Sequence, residues 1–362
     1  MGAAVQSGAR YGHDSIPSPD TMDLMVRRAR VALDETLPNG AGFHLELQAR
    51  DLKVGLADAY GRWAFDEHIE LHVGYLHTPG GLERDTSPFD LPFVERSTLA
   101  SMTRDRELGV AMIGHQSSEF WTVSITRDAP VGVGGDDPEF SIAYPKGVMP
   151  EAAERSATTW NQAARVGTAP SDQFAAAFDW TLRIRNSQPD YGDPAYEPMG
   201  SVYLEARPYR GVGVRVGADA AVAQPHVRVL MEAAFRRDGQ QLYYDPNSGI
   251  ESRLPGHEWW AGGYLVVGVS PSGRYGRAID GAPLRAGWEI VGRFEAMQVK
   301  PVDAFSATIY AETLGWTWIA TSQIRVQVDA TLEKLGPFDQ TRLLDNANAT
   351  RVYAEAWATW KL

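Results

Sequence analysis

The chain contains long stretches in which apolar and polar residues alternate one by one. The clearest is 174–185, FAAAFDWTLRIR, where Phe178 and Trp180 share one parity and Asp179 and Arg183 share the other. Because successive side chains of a β-strand point to opposite faces, this alternation predicts a strand with one apolar and one polar face. Such stretches run for about ten residues at a time, against roughly 5–6 for an ordinary strand.

Similar segments recur along most of the chain. They lie at about 23–34, 41–51, 53–65, 68–78, 107–115, 119–128, 174–185, 200–209, 211–222, 226–236, 259–270, 286–299, 304–318, 323–335 and 350–362. This segmentation gives about fifteen strands. A closed barrel with both chain ends on one side needs an even number, so we expect sixteen. The strand still to be found is expected around 137–145 or 187–198.

Two architectures are compatible with alternation of this kind. A soluble antiparallel sheet alternates apolar and polar faces, and so does a membrane-spanning barrel. Strands of roughly ten residues are what a tilted crossing of a bilayer requires. Arginine and glutamate also recur in the middle of the polar faces, as in Arg183, Arg293 and Glu295. We therefore predict an all-β fold, a transmembrane antiparallel β-barrel with its polar face inside.

The connections between the segments predict one barrel domain at 23–362, preceded by an N-terminal segment at 1–22. Tight turns are expected at 51–52, 66–67, 210–211 and 224–225. Long loops are expected at about 79–106, 129–172, 238–257, 271–285 and 336–348, with a helix at 150–165 in the second of these. Short turns at one rim and long loops at the other are typical of outer-membrane barrels.

Composition and charge exclude several function classes. The chain has no cysteine, which removes disulfides and thiolate chemistry. Its net charge of −12 disfavours nucleic acid as a partner, because phosphate neutralisation needs clustered cations. No stretch is apolar for the roughly 18 residues of a spanning helix. Glycine (35 residues) and tryptophan (11 residues) are abundant, as expected for a sheet protein.

Several short motifs, in order along the chain, resemble the phosphate-selective porin O/P family. They are RRARVAL at 27–33, LADAY at 56–60, VGYLHTPGGLERDTSPFDLPFVERS at 73–97, GY at 263–264 and GWEIVGRF at 287–294. The resemblance covers most of the chain, from about 27 to 330. It implies a sixteen-stranded, usually trimeric barrel in the outer membrane of a Gram-negative bacterium. It also implies a porin rather than an enzyme, with outer-membrane lipid and small hydrophilic or anionic solutes as its partners.

Inward-facing arginines are the candidate solute-interacting residues. A guanidinium stays charged and presents several donors to an oxyanion, so arginines at alternate strand positions can pass an anion along. The candidates are Arg28, Arg30, Arg50, Arg62, Arg183, Arg185, Arg207, Arg228, Arg293 and Arg325, with Arg215, Arg236 and Arg351 on the same parity. The family resemblance implies an arginine track, to which Arg28, Arg30 and Arg293 align.

The same arginines have a purely structural interpretation. Carboxylates occupy the inward parity as well, among them Asp34, Glu46, Asp58, Asp179, Glu232, Glu289 and Asp329. Arginines paired with them across strands would brace the wall instead of binding solutes. Lysines, on which the family's phosphate site also depends, are few here. A general porin with a mixed-charge lumen therefore stands beside a phosphate-preferring one.

Three further possibilities remain open from the sequence. The helix at 150–165 either enters the lumen as a constriction or packs over the mouth, and the family resemblance implies that the loop carrying Glu83 and Glu95 lies at the mouth. A barrel plugged by the loop at 129–172 could serve as a structural scaffold for a partner protein. A soluble carbohydrate-binding β protein is the remaining alternative.

No cofactor, metal or catalytic site is predicted. The eight histidines show no H-E-x-x-H arrangement, and the serines lie in no G-x-S-x-G elbow. The acidic stretch GGDD at 134–137 is interpreted as a turn because it lacks the spacing of a calcium loop.

Overall fold

A computed structural model describes nine stretches of the chain: 2–14, 21–50, 53–102, 106–127, 159–185, 209–245, 250–300, 307–336 and 350–361. Within them sixteen β-strands form one sheet. The strands are β1 (Gly2–Asp14), β2 (Thr21–Thr36), β3 (Ala41–Arg50), β4 (Lys53–Ala64), β5 (Ile69–His77), β6 (Arg106–Gln116), β7 (Glu119–Arg127), β8 (Thr159–Ser171), β9 (Phe174–Arg185), β10 (Tyr209–Ala223), β11 (Val227–Asp245), β12 (Ile250–Val269), β13 (Gly287–Lys300), β14 (Ala307–Ile319), β15 (Ile324–Leu335) and β16 (Thr350–Lys361).

The sheet closes on itself. Each strand pairs antiparallel with its sequence neighbours, and β1 pairs with β16 from Ala4↔Lys361 to Asp14↔Arg351. Closure leaves none of the sixteen described strands as an open edge, which is the condition for a sheet to stand in hydrocarbon. The predicted antiparallel barrel of sixteen strands is confirmed.

Apolar side chains lie outside the barrel and charged ones inside. On β9, Phe178 is 48% exposed and Trp180 40% exposed, whereas Asp179 is fully buried and Arg183 is 8% exposed. The same alternation continues on β13 and β16. A sheet in lipid exposes its apolar face outward and turns its polar face to the lumen. The orientation predicted from parity is therefore the one observed.

The two rims of the barrel differ in their connections. One rim, the short-turn rim, carries both described chain ends and the connections at 37–40, 65–68, 117–118, 172–173, 224–226 and 320–323. Among the described connections on this rim, only the one at 270–286 is long. The opposite rim carries the connection between β5 and β6, which contains the one-turn helix α1 (Leu82–Asp85) and a 3-10 turn at Thr98–Met102.

The structure corrects the predicted N-terminal boundary. Residues 1–22 were expected to precede the barrel, but Gly2–Asp14 is the strand that closes it. Its inward side chains include the small residues Ala4 and Gly8, so polar alternation is weak there.

Other predicted boundaries also change. Strand β8 occupies the last part of the expected 129–172 loop, from residue 159 to 171, and it replaces the expected helix over 159–165; residues 150–158 lie outside the described residues. Strands β11 and β12 reach Asp245 and Ile250, so most of the expected 238–257 loop is strand.

The predicted turn at 210–211 lies inside β10, where Gly211 has a left-handed φ of 101° beside a break in register. The expected strand at 200–209 falls almost entirely outside the described residues. None of the helices in the described stretches has the length and apolar content needed to span a membrane.

Candidate functional site

The connection between β5 and β6 folds into the barrel instead of standing at its mouth. We call residues 78–102 the inward loop. Its apolar side chains Leu91, Phe93, Val94 and Leu99 are at most 2% exposed. Phe93 packs under the guanidinium of Arg293 on β13, with the Arg293 Cζ 4.7 Å from the ring centroid. The loop therefore occupies the lumen, where the sequence had suggested only a position at the mouth.

Backbone hydrogen bonds fix the inward loop to the distant wall. The Val94 N–H donates to Oδ2 of Asp329 on β15 at 2.8 Å. The Thr98 N–H and hydroxyl both donate to Oε2 of Glu295, at 2.7 and 2.9 Å. From the wall, Arg325 donates to the carbonyl of Phe89 at 2.9 Å. Wall charges thus satisfy backbone groups that a buried loop could not leave unpaired.

Two acidic residues of α1 connect the loop to wall arginines. Glu83 accepts from the Ser97 N–H at 2.9 Å and from Arg293 at 3.4 Å. Burial raises the pKa of Glu83, while Arg293 and Ser97 act in the opposite direction. Asp85 accepts from Arg165 on β8 at 2.7 Å, and the same guanidinium donates to Asp219 at 2.9 Å.

A second connection enters the lumen from the short-turn rim. We call residues 270–286 the rim loop. Tyr275 and Leu284 are 7% and 5% exposed, and Ala278 and Ala282 are fully buried. The Tyr275 hydroxyl donates to Oε2 of Glu289 at 2.9 Å. Burial, followed by the charge of Glu289, raises the pKa of Tyr275.

Arg228 holds the rim loop against the wall. Its guanidinium donates to the carbonyl of Ala282 at 3.2 Å and to Oε1 of Glu289 at 2.7 Å. The Arg228 Cζ also lies 5.2 Å from the centroid of the Tyr275 ring. This arginine is 1% exposed, and its two Nη groups donate to the rim loop and to Glu289.

The two loops share one hydrophobic core. Leu82, Phe93, Leu99 and Met102 of the inward loop belong to the same buried cluster as Tyr275, Ala278, Ala282 and Leu284 of the rim loop. At Gly281 an added Cβ would lie 3.1 Å from Oγ1 of Thr86, so the loops approach closely. A cavity of about 20 Å³ near Met102 and Arg183 has room for about one water. The two loops therefore pack against each other inside the lumen.

The described candidate arginines lie on the lumen side of the wall. Arg28, Arg30, Arg183, Arg228, Arg293 and Arg325 are each at most 8% exposed, and Arg62 is half-buried. Arg50 and Arg185 lie on β3 and β9, but the placement of their side chains is not described. Arg207 lies outside the described residues. A role of these arginines in anion binding stays a prediction.

Most of these arginines have a carboxylate partner. Pairs include Arg30–Glu46 at 2.9 Å, Arg62–Asp34 at 2.6 Å, Arg228–Glu289 at 2.7 Å and Arg183–Glu107 at 4.0 Å. Arg325 instead donates to backbone carbonyls of the inward loop. In the described part of the chain, eleven buried arginines face five buried aspartates and eight buried glutamates. Among these buried, described groups cations are thus not in excess.

The alternation of apolar and polar residues did not identify several residues that face the lumen. Arg27 and Arg28 are consecutive, yet they are 5% and 8% exposed, because the pairing of β1 with β2 shifts there and Arg27 is bulged. Arg106 and Arg165 were also missed. Arg106 is the first residue of β6, and Arg165 lies in β8, which was not predicted. The residues of the inward loop left no periodic signal at all.

These features together define a class of protein. A closed sixteen-stranded barrel with an apolar exterior, a charged interior and a loop folded into the lumen is a transmembrane β-barrel of the porin type.

Comparison with known proteins agrees with this class. The sequence model of the family described as phosphate-selective porin O and P matches residues 1–179. That match confirms the resemblance for the motifs at 27–33, 56–60 and 73–97, whereas the motifs at 263–264 and 287–294 lie beyond the matched residues. It identifies the protein as a β-barrel porin of the bacterial outer membrane. No curated protein is significantly similar to the chain in sequence.

Solved structures with the same fold are distant in sequence. An anion-selective porin from Comamonas acidovorans matches with a TM-score of 0.62 and 9% identity, over 100% of this chain and 98% of that one. The outer-membrane channel DcaP of Acinetobacter baumannii matches with a TM-score of 0.62 and 10% identity, over 100% and 96%. OmpF of Salmonella typhi matches with a TM-score of 0.61 and 10% identity, over 99% and 97%. At such identities these likenesses concern the fold.

Proposed function

We propose that this porin passes small hydrophilic solutes by passive diffusion and has no strong preference for phosphate or other anions. The observation that carries this proposal is the pairing of lumen charges. Selectivity in a pore comes from its width and from fixed charges that lack local compensation. Here arginines and carboxylates are both numerous and mostly engaged with each other.

The alternative of an anion-preferring pore depends on the family's name and on the arginines themselves. The Comamonas structure is described as anion-selective, which is a property of that protein. In this chain Arg30, Arg62 and Arg228 contact carboxylates within 3 Å, so their fields at the lumen are largely cancelled. We therefore favour the mixed-charge interpretation.

Planar-bilayer recording tests both parts of the proposal. We expect the purified protein to form channels, with a reversal potential in a potassium chloride gradient close to the value for an unselective pore. Absence of channels would contradict the porin proposal. A strongly anion-selective reversal potential, together with block of chloride current by added phosphate, would contradict the proposed lack of preference.

A second candidate function has a specific observation in its favour. The inward loop and the rim loop share a hydrophobic core inside the lumen, which is the arrangement of a plugged barrel. A plugged barrel would serve as a scaffold that binds a partner protein at its surface. Single-channel current separates the two candidates, because a plugged barrel passes little or no ion current.

We further propose that the protein forms a homotrimer in outer-membrane lipid and catalyses no reaction. Support comes from the family match and from the structure of Vibrio cholerae OmpT described as a trimer form, which matches with a TM-score of 0.55 and 8% identity. Light scattering of the protein in detergent, after chromatography, is expected to give three times the mass of the 39.7 kDa chain.

A further inference from the structure

Three side chains with metal-binding atoms converge on the inner wall of β3 and β4. His44 and Glu46 occupy successive inward positions of β3, and Asp58 on β4 lies directly opposite Glu46. One ligand atom from each of the three residues lies within 4.8 Å of the others. Imidazole nitrogen and carboxylate oxygen are donors that Zn²⁺ and related divalent ions bind.

Each carboxylate of this cluster contacts an arginine, but one oxygen of Asp58 stays buried without a hydrogen-bond partner in the described part of the chain. Like charges directly opposite each other on neighbouring strands are destabilising. Arg30 contacts Oε1 of Glu46 at 2.9 Å, and Arg106 contacts Oδ2 of Asp58 at 3.0 Å. Asp58 is 8% exposed, and its Oδ1 is buried with no hydrogen-bond partner among the described residues. A buried carboxylate oxygen in this state is costly unless a cation or donor satisfies it.

His44 is held in the orientation of a metal ligand. Its Nδ1 donates to Oδ2 of Asp34 at 2.9 Å, and Arg62 donates to the other oxygen of Asp34 at 2.6 Å. The imidazole also stacks on Tyr60, with centroids 5.1 Å apart. With Nδ1 engaged, Nε2 is left for a ligand. A carboxylate that fixes one imidazole nitrogen while the other binds a metal is the usual arrangement around metal-binding histidines.

A β-bulge lies beside the cluster. The pairing of β3 with β4 shifts between Glu46↔Asp58 and Leu47↔Leu56, so that Ala57 is unpaired. Both Ala57 and Asp58 are buried as a result, although they are consecutive. Bulges re-aim side chains and are common next to functional sites.

We propose that His44, Glu46 and Asp58 bind one divalent first-row transition-metal ion in the lumen wall, with water completing its coordination. Metal–ligand distances of about 2 Å place ligand atoms about 3.5 Å apart. Side-chain rotations that move each ligand atom by about 1 Å would therefore bring all three into contact with one ion. Each carboxylate keeps one oxygen on its arginine and gives the other to the ion. This site is independent of the solute that the porin passes, and it revises the sequence-based expectation of no metal ligands.

Titration of the metal-free protein in detergent with ZnCl₂ tests the site. We expect isothermal calorimetry to show tight binding of one ion per chain. His44→Gln and Asp58→Asn are expected to weaken that affinity at least tenfold. The matched control is His72→Gln: His72 also faces the lumen, contacts Glu70 at 3.1 Å and stacks on Tyr60, but it lies outside the cluster. This variant should keep the wild-type affinity.

Three results would overturn the proposal: no saturable binding by the wild type, wild-type affinity in both His44→Gln and Asp58→Asn, or equal loss of affinity in all three variants. Heat-modifiable migration on a gel reports whether each variant is folded. If His44→Gln fails to fold, the electron paramagnetic resonance spectrum of wild-type protein with one equivalent of Cu²⁺ decides. A single coordinated nitrogen supports the site, and two or more contradict it, as binding to the neighbouring rings of His68 and His115 would give.

Discussion

Single buried charges hold the lumen together. Arg228 and Glu289 are both fully enclosed at their side chains and contact each other at 2.7 Å. Each also binds the rim loop, Arg228 through the Ala282 carbonyl and Glu289 through the Tyr275 hydroxyl. Neither residue can therefore be removed without leaving several polar groups unpaired.

Removing one member of this pair should be worse than removing both. Glu289→Met leaves Arg228 as a buried, uncompensated charge, and we expect a loss of about 3–5 kcal/mol in the free energy of unfolding. The double variant Arg228→Met with Glu289→Met should recover much of that loss. Urea unfolding followed by tryptophan fluorescence measures both. A double variant less stable than Glu289→Met would contradict the explanation.

The lipid-facing positions give a second prediction at the scale of the residue. Phe178 lies on the outer face of β9 and is 48% exposed. Phe178→Arg places a charge in hydrocarbon and should lower stability by about 2–4 kcal/mol. Phe178→Leu is the control, since it changes the same side chain and keeps the position apolar. Urea unfolding in lipid vesicles should show a clearly smaller effect for Phe178→Leu.

At the scale of the element, the two lumen loops are the least expected part of the structure. The inward loop is held by side chains of β13 and β15, and the rim loop by Arg228 and Glu289. Their shared hydrophobic core lies inside the lumen, which a solute would have to cross. The rim loop is therefore the element whose removal should change permeation most directly.

Shortening the rim loop should widen the pore. Replacing residues 274–285 by a Gly-Ser turn removes Tyr275, Ala278 and Leu284 from the lumen, so we expect single-channel conductance to rise at least twofold. A Gly-Ser replacement of the shorter exposed turn at 320–323 is the control and should leave conductance unchanged. Planar-bilayer recording compares them. Unchanged conductance in the shortened rim loop would show that this loop does not limit the pore.

At the scale of the whole molecule, closure depends on the first strand. Gly2–Asp14 pairs with β16 on one side and β2 on the other. Without it, two strand edges would stand unpaired in hydrocarbon, which is strongly unfavourable. A chain lacking residues 2–14 is therefore expected to lose heat-modifiable migration on a gel. A chain lacking only Met1 should keep it, and a folded truncated barrel would contradict this role of β1.

Alternation alone predicted most of the barrel. On β9, Phe178 and Asp179 are adjacent in sequence, and their placement on opposite faces follows from the geometry of a strand. That period is local, so it can be read wherever apolar and polar residues are distinct. It failed on Gly2–Asp14, where small residues occupy the inward positions, and on β8, where Pro170 and a helix-compatible run obscure it.

The sequence by itself therefore determined the apolar exterior, the charged interior and fourteen of the sixteen described strands, because each depends on a repeat of two residues. Only the tertiary structure decided which connections enter the lumen and which arginine meets which carboxylate. The Arg293–Glu83 and Val94–Asp329 contacts join residues more than 200 positions apart. Such contacts exist only once the sheet has closed, since closure brings distant inward positions to a common axis and leaves no local pattern in the chain.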